Sequence, residues 1–272
     1  MQRSRNNLLI YGSTVLAGLS SLALHRYMMG NYFDAKGLLI SGNLPGWLMI
    51  AIGGAYAVGM LLLLRTLGGN GTYEENFPRD PVSGILLIAA GAVMFYAASR
   101  PEPEPIPDVR VVSGTLGAAV GLLTARLQVI LPWLAAASMM FLGICRLLGK
   151  RASVWFAGAV CLHYMLTLVT DYRHWSANPQ IHSYAYQLLA EVLLMVCAFH
   201  RTSCDSGILQ RKKLIFTAMA AALCATASLS MDFHRPFFLG SALFALGCIC
   251  STAALPPDSE EEPAEETENS EA

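Results

Sequence analysis

Long apolar stretches separated by short polar or turn-forming connections occupy most of the chain. They are Leu8–Leu24, Leu44–Leu64, Val82–Ser99, Val109–Ala125, Leu127–Leu148, Ser153–Thr170, Tyr184–His200, Leu214–Met231 and Pro236–Leu255. Each comes near the roughly 20 residues that an α-helix needs to cross a bilayer core. The pattern predicts an all-α fold, a polytopic transmembrane helical bundle of nine spans. Val109–Leu148 is nearly continuous, with only Arg126 and Gln128 to mark a turn, and one long bent helix there would reduce the count to eight. The first stretch follows Arg3 and Arg5 as a signal peptide would, but the further spans make an uncleaved helix the simpler expectation.

Composition agrees with a membrane protein. Of 272 residues, 54% are apolar and 14% charged, with mean hydropathy +0.47. Soluble domains carry about 25% charged residues, so an ordinary cytosolic globular domain is excluded. The net charge of −1 combines two opposed parts. Residues 256–272 hold eight acids and no base, with three prolines and no apolar residue larger than Ala264; they cannot bury a core and are expected to be disordered. Residues 1–255 then form the integral membrane helical domain, with 18 bases against 11 acids. The seven cysteines show no paired loop spacing, and buried thiols packing as small hydrophobes are expected.

With nine spans, Lys and Arg divide between alternate connections as seven and eleven. The richer set contains Arg146–Arg151 and Arg201–Lys213, which the positive-inside rule puts in the cytoplasm. Arg3 and Arg5 then fall outside, and an eight-span arrangement would bring them inside.

An ionisable side chain within a span costs at least a few kcal/mol at the bilayer centre, so each is a candidate for function. Glu191 lies near the middle of Tyr184–His200, with Gln187 one turn before it on the same face. In the preceding span His163 aligns with Thr167, Thr170 and Asp171. Antiparallel neighbours would let these stripes meet, and a Glu191–His163 pair would relay a proton or hold an amine or cation; the alternative is a polar contact that fixes packing. The connection Asp171–Pro179 is dense in aromatic and polar residues. Its Arg173 suits an anionic headgroup or a carboxylate, or neutralises Asp171 in an interfacial belt. Gly117 and Gly121 suit close helix packing. Cys248 and Cys250 lack neighbouring ligands for a metal, and no cofactor motif is present. The basic run Arg211–Lys213 reads as a topology anchor, with no nucleic-acid site.

Two segments carry a resemblance. Tyr172-Arg173-His174-Trp175-Ser176-Ala177-Asn178-Pro179 followed by Tyr184 and Leu188-Leu189-Ala190 fits Y-R-x-W-S-x-D/N-P…Y…L-L-A, and Asp34–Gly42 fits D-x-x-G-L-L-x-x-G. Both segments resemble a group of uncharacterised multi-span membrane proteins of anaerobic Gram-positive, clostridial-type bacteria. The resemblance implies a bacterial cytoplasmic membrane and attention to Tyr172–Pro179, but no activity; Glu191 is outside the shared pattern.

Three functions follow as expectations. The first is a non-catalytic scaffold, sensor or accessory component whose loops or acidic tail meet a protein partner. The second is a small-solute or ion transporter using Glu191 and His163, with Gln187, Asp171 and Arg173 nearby. The third is an enzyme acting on lipid, for which His174 and His182 near Asp171 are the only hint. The partner in every case is the lipid bilayer, and the sequence leaves the oligomeric state open.

Overall fold

The structure, a computed structural model, describes residues 2–32, 44–67, 71–100, 115–175, 181–230 and 234–251, with side chains described at all of these except 2–8, 115–125 and 173–185. Among the described residues every regular element is a helix: α1 (Gln2–Asn31), α2 (Leu44–Thr66), α3 (Tyr73–Asn76), α4 (Pro81–Ser99), α5 (Thr115–Leu148), α6 (Val154–Trp175), α7 (Ile181–Ser206), α8 (Arg211–Ser228) and α9 (Arg235–Gly247). Four of these, α2, α4, the Arg126–Leu148 part of α5 and the Val154–Tyr172 part of α6, are long and apolar enough to cross a membrane.

The expected turn at Arg126–Gln128 does not form. The helix runs through it as the 34-residue α5, so the fourth and fifth stretches share one helix. Gln128 uses its polarity sideways, its amide donating to Thr170 Oγ1 of α6 at 2.7 Å, so the backbone has no need to break there. The last stretch is also shorter than its hydropathy suggests. α9 stops at Gly247, and the chain folds back so that Ser251 N donates to Asn76 O at 2.7 Å. The connection Asp171–Pro179 begins later than expected, because α6 stays helical to Trp175; residues 176–180 lie outside the described residues, as do Asp34–Gly42 and the tail.

Local sequence sets the helix starts. Thr72 and Glu75 form a reciprocal capping box on α3, and Asp80 accepts from Val82 N with Pro81 in the first turn of α4. α4 packs antiparallel to α5 through Gly84 and Gly91 on one side and Ala136 and Gly143 on the other. A Cβ at Gly91 would lie 2.4 Å from Met140 Cγ and 2.7 Å from Ala136 O. α9 meets α4 the same way, with Gly247 on Leu87, Gly240 on Met94, and Ser83 Oγ donating to Gly247 O.

α6 is antiparallel to both α5 and α7, through the stacked Phe141–Phe156 rings and the Cys161–Met195 contact. α1 runs parallel to α8, Gly18 resting on Thr226 and His25 reaching Ala227 O. Thr14 bonds Tyr56 of α2, and Met28, Met49 and Ala227 pack together. The long helices therefore alternate in direction: α1, α4, α6 and α8 leave the end that holds α3, and α2, α5, α7 and α9 return to it. We call this the basic end, for it carries Arg65, Arg79, Arg146, Lys150, Arg151, Arg201 and Arg211–Lys213.

α2 is the least embedded of the long helices, and an apolar cleft of about 220 Å³ lies between its Tyr56 and Met60 and the Leu189, Phe216 and Leu223 side chains of α7 and α8.

Candidate functional site

The antiparallel register of α6 and α7 decides which polar residues meet. Cys161 lies beside Met195, and one helix half further on Asp171 lies beside Gln187. The Gln187 amide donates to Asp171 Oδ2 at 2.8 Å and to Glu191 Oε1 at 3.2 Å, the latter one turn along the same helix. Both amide protons are thus spent on two carboxyl groups. Gln187 is buried and Glu191 is 0% exposed, and Glu191 Oε2 has no hydrogen-bond partner among the described residues. Neither carboxyl group is ion-paired among the described residues. Next to Asp171, Thr170 receives the Gln128 amide, which extends the polar group to α5.

Two acids, the buried Glu191 and the half-buried Asp171, are thus joined through one amide with no cation paired to either among the described residues.

Of the residues singled out from sequence, Asp171, Gln187 and Glu191 come together. His163 does not join them, and no hydrogen bond links it to Glu191. The register sets His163 opposite the neighbourhood of Leu194, one turn from Glu191, where its ring packs between Tyr164 and Phe237 of α9 at centroid distances of 5.5 and 6.0 Å. The matching residues on α6, Thr167 and Thr170, return their hydroxyls to backbone carbonyls of their own helix. Arg173 and His174 stand in the last turn of α6 and His182 in the first turn of α7, with the side chains of all three outside the described residues.

A second polar concentration, at the basic end, was not anticipated. Arg201 and Asp205 form an ion pair at 3.1 Å, almost fully buried. Asp205 also accepts from Tyr73 Oη at 2.9 Å, while its carbonyl takes two bonds from Arg151 at 3.0 and 2.7 Å. Burial pushes the Tyr73 hydroxyl above its ordinary range, which keeps it a donor. Arg146 and Arg201 both lie over the Phe77 ring, 4.9 and 4.1 Å from its centroid. Arg211 sends two bonds to Ser251 O at 3.0 and 2.7 Å. From sequence Arg211 was read as part of a topology anchor, and Arg146, Arg151 and Arg201 only as charges that set orientation; the Arg201-x-x-x-Asp205 spacing at the end of an apolar helix, with Tyr73 and Phe77 in a nearby connection, was the signal open to reading. His25 was also missed. It is fully buried, bonded to Ser230 and edge-on to Tyr186 at 4.9 Å.

Compared with protein-family models, with curated proteins and with solved structures, the chain matches none.

Proposed function

We propose that this chain is a multi-pass membrane protein of eight helical crossings that carries a proton, a small cation or a small amine through the Asp171–Gln187–Glu191 site. The carrying observation is the amide bridge between two carboxyl groups with the fully buried Glu191 Oε2 left open. A buried carboxyl oxygen without a donor is costly inside a membrane, and a bound proton or cation there would offset that cost.

The bilayer setting is supported by four apolar helices of spanning length and by the apolar residues on the outer surface, such as Trp47, Ile50, Leu62, Val129, Trp155 and Val169. The count of eight crossings adds α1, α7, α8 and the shorter, 13-residue α9, which pack alongside these. Eight crossings bring both ends of the domain, including Arg3 and Arg5, to the basic end. Of the described lysines and arginines at the ends of the crossings, those at the opposite end are Arg26, Arg100, Arg126, Arg173 and Arg235, fewer than at the basic end, which on the positive-inside rule faces the cytoplasm. On the strength of the sequence resemblance, the cell membrane is read as that of a bacterium.

The test is uptake into vesicles reconstituted with the full chain, driven by a pH gradient and read with a pH dye, sodium, potassium and methylammonium in turn. Uptake of at least one, above that of empty vesicles and lost in both Glu191→Gln and Asp171→Asn, is the expected result. No uptake of any, together with a loss of thermal stability in Glu191→Gln, would return the cluster to a packing role and leave the scaffold function in its place.

A further inference from the structure

At the basic end, charge and hydrogen bonding do not balance. Arg146, Arg151, Arg201 and Arg211 gather round α3 and the start of α8, and the Asp205 carboxylate is ion-paired with Arg201. Asp80 and Glu75 are the further acids whose charge reaches this group, at Arg146 and at Arg211. Arg151 and Arg211 are each spent on a backbone carbonyl. Arg146 is different: it is 4% exposed, and its Nε and Nη1 donate to nothing among the described residues. Arg201, 3% exposed, uses Nε and Nη2 on Asp205 but leaves Nη1 open. The two guanidinium groups share one neighbour, the face of Phe77.

A buried guanidinium N–H without an acceptor is costly, and an aromatic face compensates only in part. The acceptor that matches several open N–H groups on two guanidinium planes is an oxyanion with multiple lone pairs, which takes forked bonds from each. Phe77 follows a helix of four residues that is held by the Thr72–Glu75 capping box, the Tyr73–Asp205 bond and the Asn76–Ser251 bond.

We infer that Arg146 and Arg201 form a binding site for a phosphate oxyanion, with Phe77 as the side chain that covers it and must swing aside to admit it. Two sources share this chemistry, inorganic phosphate and the phosphate of an anionic lipid headgroup, and both are found where the basic loops of a membrane protein lie. The site stands on the opposite half of the molecule from the Asp171–Glu191 cluster and does not depend on it.

The experiment is thermal unfolding of the full chain in detergent, titrated with inorganic phosphate and separately with short-chain phosphatidylglycerol. Chloride at equal ionic strength and short-chain phosphatidylcholine are the respective controls. A saturable rise in midpoint with either probe is expected, and which probe gives it identifies the source. The rise should be weaker in Arg146→Lys, which keeps the charge but loses the fork, and absent in Arg146→Gln. Phe77→Ala should lower the half-saturating concentration by about tenfold, because the open state no longer has to be reached against the ring. If neither wild type nor Phe77→Ala shows a saturable rise, or if Arg146→Gln responds like wild type, no such site exists.

Discussion

Glu75 shows how one exposed side chain can fix a connection between helices. Its carboxylate accepts from Thr72 N at 2.7 Å while Thr72 Oγ1 accepts from Glu75 N. The backbone and side-chain bonds from Thr72 hold the carboxyl below the usual carboxylate range. A folded value below the unfolded one means stability that is present above the ordinary glutamate value of about 4.3 and lost as pH falls through the folded value. Glu75→Ala should therefore lower the melting midpoint near pH 7, and the gap to wild type should narrow below about pH 4. A pH series of thermal scans checks this, and a gap that stays constant into acid would show that the charge is not what closes the box.

At this scale the sequence was partly legible. Gln187 and Glu191 lie one turn apart on one helix, so spacing alone puts them on a shared face. Asp171 meets them because α6 and α7 are consecutive. His163 was misassigned, since helical spacing gives a face but no vertical register between two helices, and here an offset of one turn carries it to Phe237. The arginines over Phe77 were missed because a Lys/Arg-rich connection carries no periodic signal for burial.

Helices set the spacing of the bundle through their smallest residues. Gly84 and Gly91 on α4, Ala136 and Gly143 on α5, and Gly240 and Gly247 on α9 each stand seven residues apart, two turns along one face. Side chains of Leu147, Met140, Leu87 and Met94 fill the grooves so formed. Gly91→Ala should destabilise the protein by about 1–3 kcal/mol, because backbone as well as side chain stands in the way of the new methyl. Gly53→Ala on α2 meets nothing within 4 Å and should be neutral, or more stable by about 0.5–1 kcal/mol through the alanine's helix preference. Denaturation of the two variants side by side decides it, and equal effects would mean that the α4–α5 contact is not this close in solution. Apolar stretches in the sequence located every long helix, but glycines look alike in it. Gly117 and Gly121 drew attention by their spacing of four and lie where side chains are outside the description, while the glycines that interlock are spaced by seven. Hydropathy also overran α9, because Cys248, Ile249 and Cys250 are apolar whether they continue a helix or fold back beneath α3.

For the whole molecule, the hydrophobic pattern and low charge content predicted the helical class, and the structure agrees; span number was the part they left open. The charge count could not settle it alone, since it turned on whether Arg126 ends a helix or rides within one. Among the described residues Arg126 rides within a continuous α5, which joins two of the expected spans into one helix.

The unequal seating of the helices has a consequence for how the molecule comes apart. α4, α5 and α9 interlock backbone to backbone, whereas Gly53, Gly54 and Gly59 of α2 face open space and its neighbouring cleft is unfilled. Opening free energy in a protein follows buried contact, so it should rise steeply from α2 to the interlocked three. Hydrogen exchange in detergent should label the amides of α2 long before those of α4, and a uniform rate across both would mean the chain opens as one unit. On that gradient α2 is a loosely fitted stave on a rigid keel, and of the described long helices it is the one expected to shift first.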